Sequence, residues 1–131
     1  MKIVQIVSFI LITLLLTGIC LAEELVVSTS LKDIHFRTLS IERLIEDNQT
    51  LKTTEIVLAI DNLEAKWTED ESRLCYMVNH KNIQEIGQEI AKIKAYVTFD
   101  DVDACKVSLD SIKFYCHSYL HFMGANLHNV L

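Results

Sequence analysis

From Val27 to Met123 the apolar residues of this chain recur three and four apart, in four successive runs. The first run is Val27, Leu31, Ile34, Thr38, Ile41 and Ile45. The second is Ile56, Ile60, Leu63 and Trp67, then a lapse over the charged TEDES, then Leu74 and Val78. The third is Ile83, Ile86, Ile90, Ile93 and Val97, and the fourth Val102, Cys105, Leu109, Ile112, Cys116, Tyr119 and Met123. Such spacing puts one seam of each helix toward its neighbours at shallow crossing angles. With no proline and only three glycines in 131 residues, little in the chain breaks these runs. The expectation is an all-α fold, an up-down bundle of about four helices built as two helical hairpins.

Ahead of the runs stands a leader of different character. Lys2 precedes and Glu23-Glu24 follow the mostly apolar stretch Ile3–Ala22. Its about twenty residues, at ~1.5 Å each, cover the ~30 Å hydrocarbon layer. A basic start and an acidic end favour an N-terminus left inside and a body exported. The expected division is a membrane or signal segment over residues 1–24 and an extracytoplasmic bundle over 25–131. The first heptad run can continue the membrane helix without a break. Cys20-Leu21-Ala22 also reads as a small-x-small cleavage site, and LTGIC as a lipoprotein box spoiled by Ile19. A retained single-pass anchor is the preferred expectation; secretion after leader cleavage is the alternative.

The corners carry helix-start chemistry. Asn82 precedes the third run with Glu85 three residues on, the pattern of a cap and a reaching-back acid. Asp100 or Asp101 is the expected cap of the fourth helix, with Asp103 in its first turn. Glu46–Thr50 is the corner between the first two. Shifting the chain by 49 residues aligns Ile41 and Leu44 with Ile90 and Ile93, and Ile60, Leu63 and Trp67 with Leu109, Ile112 and Cys116. The two hairpins thus share a faint echo.

Focused chemistry is scarce. His80, beside Asn79, is expected to close the second helix, where a histidine meets the carbonyl end of the dipole. His117 and His121 are four apart and share a helix face that suits one metal ion, but a third ligand such as His128 has to be recruited by folding. Besides Cys20, the body carries Cys75, Cys105 and Cys116, an odd set that excludes a disulfide scaffold. Cys105 and Cys116 lie ~16 Å apart along one helix, so only a bond from Cys75 to either remains open; otherwise all three are small buried hydrophobes. TEDESR, Thr68–Arg73, is expected as a solvated face. No Gly-rich phosphate loop, Gly-x-Ser-x-Gly, Cys-x-x-Cys or His-Glu-x-x-His occurs, so neither an enzyme nor a cofactor is expected. A net charge of −6 with no basic cluster disfavours nucleic acid.

Read together, Trp67, MVNHKNIQEI, IAKIKAYV, LDSIKF and the ending NLHNVL resemble an uncharacterised bacterial family, domain-of-unknown-function family four-three-six-three. The resemblance implies small envelope proteins of clostridia-like Firmicutes with an N-terminal membrane segment, and companions that are multi-pass membrane proteins. The family pattern has a tryptophan in the second helix and a Leu-Ile-Asp-His corner. Here the corner is Met77-Val78-Asn79-His80, which lacks the carboxylate beside the histidine and so speaks against acid–base work there.

The resulting expectation is a membrane-anchored interaction or accessory subunit. Its partner is a membrane protein or a second copy, and Trp67, His80, Val130 and Leu131 are the candidate contact residues. The rivals are a secreted carrier of an apolar small molecule and a histidine-based metal or heme module using His117 and His121.

Overall fold

The computed structural model describes residues 2–78 and 80–128. The fold is all-α, with helices α1 (Lys2–Asn48), α2 (Thr54–Met77), α3 (His80–Phe99) and α4 (Val102–His128) in up-down order. α1 packs on α2 and α4, and α3 packs on the same two, so α1 lies diagonal to α3. First helix meets last, and the ring closes within one chain.

The heptad seams meet at its axis. Leu31, Ile34, Ile41 and Ile45 of α1 are fully buried, as are Leu63 and Leu74 of α2, Ile93 of α3, and Leu109, Ile112 and Cys116 of α4. Each such leucine or isoleucine contributes about 1.5–3 kcal/mol by leaving water, which makes the seam the main source of stability. Thr38 sits in the seam at 0% exposure because its hydroxyl donates to the Ile34 carbonyl at 2.8 Å. Between helices, Lys113 binds Glu42 at 2.7 Å, tying α4 to α1, and Lys94 bridges from α3 to Asp61 and Glu64 of α2.

α1 is one helix of 47 residues, about 70 Å long at 1.5 Å per residue. It runs unbroken through residue 24, so the apolar segment and the first bundle helix form a single rod. From Val27 onward every third or fourth residue is buried; before Val27 none is.

Both hairpin turns end their first helix with a left-handed residue, Gln49 (φ 54°) and Asp100 (φ 55°). At the second turn Asp100 N–H donates to Val97 and Asp101 N–H to Tyr96, the bond pair of a Schellman cap. Asp101 then opens α4, accepting from Ala104 N–H at 3.1 Å, with Asp103 in the first turn, as its sequence signature implies. Thr53 caps α2 in the same way through Ile56 N–H. The residues aligned by the 49-residue shift are buried in both hairpins, except Leu44, which is partly covered.

The α2–α3 corner differs from expectation. α2 stops at Met77 with Val78 in an extended conformation, and His80 opens α3 instead of closing α2. Its backbone therefore stands at the N–H end of a helix dipole, where a histidine charge gains nothing. Asn82 falls inside α3 and is not its cap, because the helix begins two residues earlier; Asn79 lies outside the described residues.

Candidate functional site

Of residues 2–25, only Glu24 is even partly covered; the others, including Phe9, Leu11, Leu14, Leu15 and Leu16, are exposed. A helix apolar on all sides and packed against nothing suits hydrocarbon better than water. Its threonines fit that setting: Thr13 and Thr17 turn their hydroxyls onto the carbonyls of Phe9 and Thr13, each at 2.8 Å.

Where this rod enters the bundle, α1 and α2 flank a groove of about 490 Å³. Leu25, Val26, Thr29, Ser30 and Asp33 line it from α1, and Lys66, Asp70 and Arg73 from α2. Asp70 corrects the expectation that Thr68–Arg73 is a solvated face, for it is 1% exposed. The signal was in the sequence: continuing the three-four alternation past Trp67 lands on Asp70 and then on Leu74. The lapse is in polarity, not in register.

Asp70 Oδ1 accepts from Lys66 Nζ at 3.0 Å and lies 3.6 Å from the Arg73 guanidinium. Its Oδ2 is buried with no hydrogen-bond partner among the described residues. The bond to Asp70 raises the Lys66 ammonium above the ordinary lysine value, so the cation is present throughout the physiological range.

A second groove of similar size opens between α2 and α3, bordered by Glu64, Glu71, Gln84 and Gln88. Trp67 forms part of its wall, yet is only 4% exposed, so it is a core residue and not a protruding anchor. Its indole Nε1 lacks a hydrogen-bond partner among the described residues. Gly87 makes room for it: a Cβ there would lie 2.9 Å from Nε1.

The remaining candidates separate. His117 and His121 stack in parallel, ring centres 6.3 Å apart, on an exposed face of α4. Among the described residues no third histidine, cysteine or carboxylate gathers with them. The side chains of His80 and His128, and Val130 and Leu131 entirely, lie outside the described residues. All four cysteines are free in this structure, with no bridge from Cys75. Burial pushes the Cys105 thiol up to about 11 and Cys116 up to about 12, so both stay protonated as apolar filling, while Cys75 is partly exposed. On the outer side of α4, Val107 and Phe114 are each 67% exposed, with Phe114 edge-on to Tyr115.

Compared with known proteins, a family model described as domain of unknown function (DUF4363) matches residues 24–130, beginning where the apolar run has ended. No curated protein and no solved structure matches the chain.

Proposed function

The chain belongs to the DUF4363 family, and we propose that it is a single-pass, membrane-anchored accessory subunit with no catalytic role. Residues 1–24 serve as the anchor and residues 25–131 as an extracytoplasmic bundle. The supporting observation is the exposure of the whole apolar start of α1 beside a bundle whose own core is closed. A domain with its core satisfied does not need that segment, so the segment serves location. The unbroken helix through residue 24 couples anchor to bundle as one stiff rod, which suits a module held at fixed height above a bilayer. Val107 and Phe114, each 67% exposed, border one shallow groove on α4 with Tyr115 and suit contact with a protein partner.

The test is fractionation of host cells expressing the full chain, followed by intact mass and cross-linking within the membrane. The reading expects an uncleaved chain that resists carbonate extraction, is digested by protease added outside, and cross-links to a multi-pass membrane protein. Mature chain free in the medium, shortened at Ala22, would overturn it in favour of a secreted protein.

A further inference from the structure

We propose that the groove between α1 and α2 is a headgroup site for a phospholipid carrying a primary ammonium, of the phosphatidylethanolamine type; this rests on the anchored reading above. Position is the first argument. Leu25 and Val26, at the lower lip, follow the end of the apolar run at Ala22 by three and four residues, about 5 Å of helix. The headgroup layer extends roughly 5–8 Å beyond the hydrocarbon, so the groove opens at headgroup depth. Leu25 is 71% exposed there, an apolar rim toward the acyl chains.

Charge is the second. The lining holds two cations, Lys66 and Arg73, and two carboxylates, Asp33 and Asp70. A balanced lining fits a ligand that is neutral overall and carries both signs. An anionic lipid would meet both carboxylates, on a protein whose net charge is already −6.

The third argument is the open valence of Asp70. This side chain is 99% buried and lines the groove, and its Oδ2 has no donor among the described residues, a state that costs about 1–3 kcal/mol or more for a charged group. A primary ammonium supplies N–H donors to it, whereas a quaternary choline nitrogen has none. Arg73 is the movable part. It is 52% exposed and 3.6 Å from Oδ1, so it can turn outward to a phosphate and leave that side of the carboxylate to the ammonium. Lys66, at 3.0 Å, stays on Oδ1.

The test uses the full chain in mild detergent, with native mass spectrometry after adding phosphatidylethanolamine, phosphatidylcholine or phosphatidylglycerol of the same acyl chains. The expected result is one retained phosphatidylethanolamine, at least tenfold preferred over the other two. Asp70→Asn is expected to abolish the preference with the helical spectrum unchanged. Arg73→Gln, at a half-exposed position, is expected to lower occupancy severalfold with an unchanged melting temperature, which keeps the test decisive should Asp70→Asn unfold. Equal retention of the ethanolamine and choline lipids overturns the proposal. So does soluble glycerophosphoethanolamine binding as tightly as the lipid, since the site would then serve a free solute. A chain that stays in the membrane but shows no preference overturns the headgroup site alone; a chain released from the membrane overturns the anchor beneath it.

Discussion

At the end of the bundle where the two hairpin turns meet, Asp100 accepts from the Thr50 hydroxyl at 2.9 Å and from Leu51 N–H at 2.6 Å, and Lys52 reaches the Thr98 carbonyl. Toward the end where α1 leaves, Asp70 sits in the seam with one oxygen unpartnered among the described residues, and Trp67 leaves its indole N–H in the same state. The same heptad pattern builds both ends. One end spends its polar groups on joining two turns about fifty residues apart in sequence. The other holds a buried charge, and buried ion pairs are often replaceable by apolar residues of similar volume at no cost in stability. Polar groups that do not serve stability are where function is to be sought, and they lie at the end nearest the apolar rod.

The contrast is open to measurement. Leu51 is fully buried beneath the turn end. Leu51→Ala should therefore cost about 3 kcal/mol in denaturant unfolding, the usual loss for an emptied core site. A cost under about 1 kcal/mol would mean that the turn end is not the well-packed one.

At the other end, Lys66→Ala removes the nearest partner of a buried carboxylate. Breaking such a pair usually costs 3–5 kcal/mol; with Arg73 still 3.6 Å away, about 2 kcal/mol is expected. Asp70→Leu should instead be neutral or stabilising by about 1 kcal/mol, because the cations it leaves behind reach water and Glu69, Lys66 at 3.6 Å and Arg73 at 3.9 Å. If Asp70→Leu unfolds the bundle, the carboxylate is a structural member and the contrast between the ends fails. Gly87→Ala probes the second groove. Alanine favours the helix by roughly 1 kcal/mol, but its Cβ would press on a buried indole, and such overpacking costs about 1–3 kcal/mol. A net loss of about 1 kcal/mol in thermal unfolding is expected; a gain would show that Trp67 has space to yield.

How much of this was legible beforehand depends on which interactions are local. Helix number, order and seams were readable because burial recurs with the helical period, and Asp101 was readable as a cap because capping spans three residues. Asp70 is harder to read, because acidic neighbours on both sides suggest solvent although its register says core. The Asp100 contact was out of reach, since Thr50 and Leu51 lie about fifty residues away and meet it only once two hairpins pack. His80 opens α3 and does not close α2, a choice the sequence leaves open because an Asn-His pair can end one helix or begin the next, and nothing nearby decides between them. The two histidines of α4 were expected on one helix face, and they share it. Whether a face becomes a site depends on what a second helix brings to it.

The smallest expected effect is at Asp100, and it separates charge from shape. Leu51 N–H first, then the Thr50 hydroxyl, hold its carboxyl below the ordinary value of 3.8. A depressed folded value means that the stabilisation is fully present above about pH 4 and is lost as the pH falls through the folded value. Asp100→Asn keeps an acceptor oxygen and tolerates the left-handed backbone, so it removes the charge alone. Its melting temperature should lie slightly below that of the native chain near neutrality, and the gap should close in acid. Asp100→Ala loses the acceptor and also strains the φ of 55°, so its larger gap should shrink in acid without closing. An Asn gap that is equal at neutral pH and well below pH 4 would remove the carboxylate charge from the turn end's stability. The joining of the two hairpins would then rest on Leu51 and the seam, and the two ends would differ in packing but not in electrostatics.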